Sequence, residues 1–403
     1  MSSLRHSCLP ILLIASLVLS LPLTAQLLAP PITPEAALTR VLQQTPAQAD
    51  WFDSTFLAQV PTAQIDQIVM QYVAQLGTFH HAEATAEGYT AHLERGTFPA
   101  KIVLSPSGRI VGLWFGLPEL AQARGFDDML KDFAKLPGKV SVAVIADGKP
   151  LAGLQADLPL GVGSAFKLAV LAALNEQIAA GKHRLDEVVA LRPAWKSLPS
   201  GTLQQWPDGT PLTLATLTNQ MISINDNTAA DAVLSIAGRE NVEKLAPRNR
   251  PFLSTREAFV LKASPNAALL ARYRSADEAG RRTILDELAR LPLPEGSQLK
   301  GAPSLDIEWF FTANELCTLI GRVADAPAMR INPGLAKSAD WRQVAFKGGS
   351  EEGVLNLATA LTGKDGKHYC VAATWNDTAA LEQARFFTLY GGLLSALAKT
   401  SAK

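Results

Sequence analysis

A surplus of charge of either sign is missing from this sequence: 37 Lys and Arg balance 37 Asp and Glu. Nothing therefore points to nucleic acid or an anionic surface as partner, and no basic cluster with interleaved aromatics appears. Cysteine is nearly absent, with Cys8, Cys317 and Cys370 alone among 403 residues. That is too few for a disulfide framework. Cys317 falls in a helix-like run (Thr312 to Arg322) and Cys370 in a strand-like one (Tyr369 to Trp375). Buried free thiols are expected there, with a Cys317–Cys370 pair as the alternative. Neither has metal-site spacing. The six histidines include no His-x-x-x-His on a helix, and His80-His81 falls in a strand-like run where neighbours face opposite ways. No metal or organic cofactor is expected. Internal repeats and low-complexity tracts are also absent.

One apolar run stands out, and it is N-terminal. Arg5 and His6 precede Leu9 to Leu23, followed by Thr24-Ala25 and Gln26. A basic start, a short apolar stretch and a small residue at the cut read as a secretory signal peptide over residues 1–25. Leu23 is not the ideal small residue three before the cut, which makes the cut site approximate. An uncleaved anchor is the alternative, but the run is short for a span and Pro10 and Pro22 interrupt or bound it. No other stretch approaches transmembrane length. The expectation is a secreted or periplasmic protein with no stable membrane span after signal removal.

The remaining length exceeds one compact core and implies two domains. Pro34 to Gln44 and Thr62 to Leu76 have helical spacing, the second from Ile65, Ile68, Val69, Tyr72 and Val73. Phe79 to Ala86, Tyr89 to Glu94, Ala100 to Ser105 and Arg109 to Phe115 alternate or are β-rich, with turns at Glu87-Gly88, Gly96 and Ser107-Gly108. Helices followed by an antiparallel meander give a small α+β domain over residues 26–120. Residues 121–137 read as a linker with one short helix, and a second domain spans 138–403. It opens with a hairpin, Val140 to Ala146 and Pro150 to Gln155, turning at Asp147-Gly148. A long helix is expected from Ser164 to about Ala180, closed by Gly181. Leu185 to Val260 is largely helical, with a loop at Pro199 to Pro211. Arg274 to Arg290 and Thr312 to Ala324 are further helices. Strands at Gln343 to Lys347, Leu355 to Leu361 and Tyr369 to Trp375 precede a last helix, Glu382 to Leu397. The N- and C-terminal strands of this domain are expected in one sheet with helices on both faces.

Three segments carry chemistry. In Gly163-Ser164-Ala165-Phe166-Lys167, a Ser and a Lys three apart at a helix start share a face. The amine can then serve as the base that a weakly nucleophilic hydroxyl needs, and the helix N-terminus favours a developing oxyanion. Alone, the pattern is common enough to be an ordinary helix start. Some sixty residues later stands Ile222-Ser223-Ile224-Asn225-Asp226-Asn227-Thr228-Ala229-Ala230-Asp231. Near the C-terminus a strand carries Phe346-Lys347-Gly348-Gly349-Ser350.

In order, spacing and element type, the three resemble the Ser-x-x-Lys, Ser-Asp-Asn and Lys-Thr-Gly signature of class A β-lactamases and penicillin-binding proteins. The resemblance covers about residues 138 to 400. It implies an α+β fold in which a β-lactamase-like (DD-peptidase-like) domain, with a helical block and an antiparallel sheet, follows the small domain. It further implies that Ser164 is the acylated nucleophile and Lys167 its base or proton partner. Asn227 would position the substrate and the Lys, and Lys347 would meet the substrate carboxylate. Gly349 would let substrate approach the strand, and the amides of Ser164 and Ser350 would form the oxyanion hole. The expected partner is a small β-lactam, or an ester or peptide-like acyl donor. The preceding small domain and Lys347 to Gly353 are similar to a two-domain subgroup that includes a β-lactamase-like hydrolase of clavulanic-acid biosynthesis. In that subgroup the small domain is cystatin-like or NTF2-like.

Two departures stand against the pattern. Asn225 takes the place of the Ser in the second motif, where a hydroxyl relays a proton and an amide holds geometry. A shifted register would pair Ser223 with Asn225 but loses the Asp-Asn-Thr-Ala-Ala match. The class A Glu-x-x-Leu-Asn stretch is also missing: Glu257 reads as a helix-start residue beside a Ser254 or Thr255 cap. The main expectation is an exported serine hydrolase acting through a Ser164 acyl-enzyme, with Asn225 in the catalytic group. Esterase or DD-peptidase-like activity, or a penicillin-binding sensor that does not turn over, are the alternatives. A purely structural role would leave Lys347-Gly348-Gly349 a coincidence.

Overall fold

The computed structural model describes residues 32–116, 118–120, 125–299 and 304–401. The expected signal peptide lies outside the described residues. The chain divides into two compact units, one ending at Arg124 and one beginning at Gly125.

In the first unit, helices α1 (Pro34–Gln43), α2 (Ser54–Gln59) and α3 (Thr62–Leu76) precede strands β1 (Phe79–Thr85), β2 (Gly88–Leu93), β3 (Gly96–Leu104), β4 (Ile110–Phe115) and β5 (Glu119–Leu120). Thr33 and Asp53 cap α1 and α2 through their side chains, satisfying amides the helices leave unbonded. The sheet runs β1-β2-β3-β4, antiparallel throughout, with β5 added on β3. Ile65 and Val69 of α3 bury with Leu38, Phe56, Phe98 and Ile110 in one core. Tyr72 packs its ring 4.4 Å from Phe98 and donates its hydroxyl to Gly116 O at 2.7 Å.

The second unit opens with α4 (Phe126–Phe133), then β6 (Lys139–Ala146) and β7 (Lys149–Leu154). Asp147 and Gly148 turn that hairpin with φ of 45° and 74°, the left-handed pair a two-residue turn requires. After β8 (Leu160–Gly161), a 3-10 turn over Gly163–Phe166 leads into α5 (Lys167–Ala179). Strands β9 (Val188–Ala190) and β10 (Pro211–Thr213) precede α6 (Leu214–Ser223), α7 (Asn227–Ala237) and α8 (Arg239–Leu245). Next come α9 (Thr255–Lys262), α10 (Ala267–Ser275), α11 (Glu278–Leu288), β11 (Phe310–Phe311) and α12 (Ala313–Val323). Strands β12 (Gln343–Glu351), β13 (Val354–Thr362) and β14 (His368–Asn376) lead to α13 (Gln383–Ser401).

The sheet order is β12-β13-β14-β6-β7, all antiparallel, so the C-terminal strands join the opening hairpin as the patterning implies. Its two faces are chemically distinct. Ala143, Ala345, Ala358 and Ala372 face the helical block, where small side chains let α12 approach. Val142, Val144, Leu355, Leu357 and Trp375 pack with Phe133 of α4 and Phe386 and Tyr390 of α13. Lys167 through Leu174 of α5 are all buried, as a helix apolar on every side must be.

Four expectations need correction. The helix does not begin at Ser164: the 3-10 turn intervenes, with Gly163 at φ +51° and Ser350 N 3.1 Å from where a Cβ on that glycine would sit. The largely helical stretch after Leu185 contains the β9–β10 pair, where β-branched Val188 and Val189 meet Pro211–Thr213 at a two-stranded edge. The helix expected over Arg274 to Arg290 is two, since Asp277 accepts from Gly280 N at 2.8 Å and starts α11 afresh. Finally, Cys317 and Cys370, expected as free thiols, form a disulfide. α12 lies across the inner face of the sheet and brings Cys317 onto β14, a proximity that two cysteines 53 residues apart do not announce.

Candidate active site

Ser164 sits half-buried on the 3-10 turn, three residues before Lys167. In a 3-10 turn, residues i and i+3 eclipse, which puts hydroxyl and amine on one side more directly than an α-helix does. The ring of Phe166 anchors the turn by stacking 4.0 Å from Trp309 and meeting Phe252 edge-on at 5.8 Å. The preceding strand is clamped by Asn376, whose amide exchanges two 2.8 Å hydrogen bonds with Gly161 N and O.

Lys167 is fully buried. Its Nζ donates to Asn225 O at 2.7 Å, Asn225 Oδ1 at 3.0 Å and Asn227 Oδ1 at 2.7 Å. Burial, aided by the charge of Lys347, drives its pKa well below the ordinary lysine value, against the opposing pull of Asp226 and Asp231. An ammonium would commit all three N–H groups to these oxygens, whereas a neutral amine keeps a lone pair for a proton. Ser164 Oγ makes no hydrogen bond among the described residues.

Asn225 connects the two lysines. Its Oδ1 accepts from Lys167 and, at 2.9 Å, from Lys347 Nζ, which also donates to Gly348 O. Burial lowers Lys347 to about 7. A hydroxyl in this place could also accept from both amines, but an amide oxygen does so without a competing proton of its own. Asn225 adopts φ +66°, a left-handed conformation that Asn tolerates better than most residues. Ser223, the partner in the shifted register, bonds back to Asn219 O at 2.6 Å within α6. The geometry brings Asn225 and Asn227 to the lysines and leaves Ser223 out.

Asp226, between the two asparagines, supports that arrangement. It caps α7 through Ala229 N at 2.8 Å and accepts from Thr202 N and Leu203 N at 2.7 and 2.9 Å. Asn227 donates Nδ2 to Leu198 O at 3.1 Å, which fixes its oxygen toward Lys167. Asp231, one turn on, accepts from Thr255 N and Oγ1 and from Arg256 N at 2.7 to 2.9 Å. Burial pushes this carboxyl up to about 7 despite those bonds. An Asp before a helix is a cap signal readable in sequence; the reach of Asp226 back to the 202–203 loop is not.

Strand β12 delivers the third segment. A Cβ added to Gly349 would lie 2.1 Å from Val162 O and 2.6 Å from Ser164 N, and one added to Gly163 would lie 3.1 Å from Ser350 N. Gly349 therefore packs backbone to backbone against the serine turn, and the Ser164 and Ser350 amides lie on adjoining stretches of chain. Glu257 is engaged elsewhere: it closes a capping box with Ser254 at the start of α9 and pairs with Arg239 at 2.7 and 3.0 Å. Among the described residues, no group of three or more His, Cys, Asp or Glu is placed to hold a metal ion.

Residues 123–281 match the model of the β-lactamase enzyme family. The matched segment contains Ser164, Lys167, Asn225 and Asn227, while Lys347, Gly349 and Ser350 of the same unit lie beyond it. The unit is similar in structure to a β-lactamase from Sphaerobacter thermophilus DSM 20745, at 19% identity and a TM-score of 0.48 over 69% of this chain and 97% of that one. It is likewise similar to PBP-A, at 14% identity and a TM-score of 0.48 over 68% and 95%. An ancestral class A β-lactamase matches at 18% identity and a TM-score of 0.46 over 68% and 98%. No curated protein matches the chain.

Proposed function

We propose that this protein is an exported serine hydrolase of the β-lactamase type, which forms an acyl-enzyme at Ser164 with a β-lactam or a related acyl substrate. The observation that carries this reading is the fully buried Lys167, held by Asn225 and Asn227 with its pKa driven down, one 3-10 turn from Ser164. A neutral Lys167 takes the Ser164 proton as Oγ attacks the acyl carbon. The oxyanion forms between the amides of Ser164 and Ser350, and Lys167 returns the proton to the leaving nitrogen or oxygen. Lys347, with Asn225 beside it, meets a carboxylate on the substrate. The family-model match over residues 123–281 supports the reaction class, and export rests on the leader-like residues 1–25.

A second reading is favoured by one observation. Asn225 stands where a hydroxyl would relay a proton, and Glu257 is spent on a helix cap and Arg239. A protein built this way could acylate once and act as a penicillin-binding sensor. Intact-mass spectrometry after exposure to penicillin G, beside steady-state turnover of a chromogenic cephalosporin, separates the readings. Turnover that Ser164→Ala abolishes marks the hydrolase, and a stable Ser164 adduct without turnover marks the sensor. An unmodified protein with no turnover at high reagent refutes both.

A further inference from the structure

A serine ester needs a base to activate the water that removes it, and Lys167, Asn225, Asn227 and Lys347 include no carboxylate. A buried charged cluster near the serine turn has no role in that set. Lys262, at the end of α9, donates to Glu308 Oε1 at 2.7 Å and to both oxygens of Glu351 at 2.8 and 2.9 Å. Glu308 is buried to 1% side-chain exposure, with Oε2 facing no donor, while Glu351 keeps 29% exposure to water.

The strand places this cluster beside the serine. Side chains two apart on a strand share a face, so Lys347, the absent side chain of Gly349, and Glu351 all leave β12 on one side. That is the side on which Gly349 touches Ser164 N. Lys347 and Glu351 thus flank the serine turn, a cation on one side and a carboxylate on the other, each about 7 Å along the strand from Gly349. Glu308 approaches from beneath: its Cγ lies 2.9 Å from where a Cβ on Gly161, three residues before Ser164, would sit.

We propose that Glu351 is the base that activates the deacylating water, with Lys262 and Glu308 as positioning residues; this rests on the Ser164 acyl-enzyme reading above. As the water oxygen bonds to the acyl carbon, one of its protons passes to a Glu351 oxygen. The tetrahedral adduct then breaks its C–Oγ bond, the electron pair leaves on Ser164 Oγ, and Glu351 returns the proton there. A free carboxylic acid and the starting serine result. The division of charge fits these roles. Burial and the neighbouring Glu351 charge hold Glu308 well up as the protonated member. Burial pushes Glu351 upward too, but the charge of Lys262 and hydrogen bonds from Glu308 and Lys262 outweigh it and keep that carboxylate ionised below its ordinary value.

The test compares the full chain with its Glu351→Gln variant by stopped-flow hydrolysis of a chromogenic cephalosporin and by intact mass. A burst followed by turnover slowed about 100-fold or more, with the Ser164 adduct accumulating only in the variant, is the expected result. Because Glu351→Gln could disturb the strand, Glu351→Ala is assayed with added formate: recovery of turnover, which a purely structural role does not give, supports the base. Turnover of Glu351→Gln within about threefold of the unaltered protein, or an adduct that persists equally in both, overturns the inference and leaves Ser164 as nucleophile. An unaltered protein with neither adduct nor turnover overturns the acyl-enzyme reading itself.

Discussion

Gly349→Ala probes the site at its tightest point without touching a side chain. The added methyl would sit 2.1 Å from Val162 O, 2.6 Å from Ser164 N and 2.7 Å from Ala165 N, all backbone atoms. Relief to even 3.0 Å from the carbonyl requires β12 and the serine turn to part by about 0.9 Å. The turn cannot yield by a rotamer change, because Phe166 is locked between Trp309 and Phe252 and Gly161 is clamped by Asn376. Overpacking of this kind costs roughly 1–3 kcal/mol of stability. A displacement near 1 Å between nucleophile and oxyanion donors costs about 100-fold in rate, or ~2.7 kcal/mol in the barrier. The expected outcome is a chromogenic cephalosporin hydrolysed about 100-fold more slowly per active site, with the acylation burst slowed to match and a lower thermal midpoint. A variant with unchanged burst rate and midpoint would falsify the claim that Gly349 sets the spacing of the two amides.

The lysine pair and the disulfide make separate predictions. Burial sets the Lys347 pKa at about 7, so its charge fades as pH rises from 7 to 9: KM for a carboxylate-bearing substrate should climb over that range while KM for a neutral ester stays level. Equal behaviour of the two substrates would remove Lys347 from carboxylate binding. The same depression acts on stability with a definite sign: between about 7 and the unfolded value of 10.5 the unfolded chain holds a proton that the folded chain lacks, so this residue adds stability with rising pH, and the gain should vanish in Lys347→Met when chemical denaturation is followed across pH. Cys317 and Cys370 close 53 residues of chain, for which the loop-entropy limit is about 4 kcal/mol. Replacing both with Ala should lower the urea unfolding free energy by ~2–4 kcal/mol, and an unchanged urea midpoint would show that the bond adds nothing beyond packing.

How much of this was legible in the sequence depended on the range of the interactions. Alternation from Phe79 to Phe115 and the Asp147-Gly148 turn are local signals, and the strands and hairpin followed from them. The joining of β14 to β6 followed from apolar strands at both ends of the unit that had to find cover. The 3-10 turn at Gly163 was hidden because what imposes it, the backbone of Gly349 and Ser350, lies almost two hundred residues away. Two separate helices in place of one at Arg274 to Arg290 were a nearer miss, since Asp277 is a cap residue by type. The disulfide stood only as the alternative to free thiols for the same reason: α12 and β14 meet only in three dimensions.

The site shows the same division, and it bears on what Asn225 does. Ser164, Lys167, Asn227 and Lys347 could be nominated because each sits in a short local pattern. Asn225 read as a defect, since a single chain offers no view of what an amide would gain there. The geometry supplies the gain: two buried amines, each lowered by burial, share one Oδ1, and Asp226, the next residue, caps the helix that follows. Two desolvated cations this close repel one another, so at most one of them holds a proton comfortably near neutral pH. On the proposed mechanism the remaining proton sits on Lys347 during acylation, which leaves a base beside Ser164 and a cation for the substrate. On this account the amide of Asn225 does not replace a proton relay. It holds both amines on one acceptor, so that on the proposed reading one serves chemistry and the other recognition.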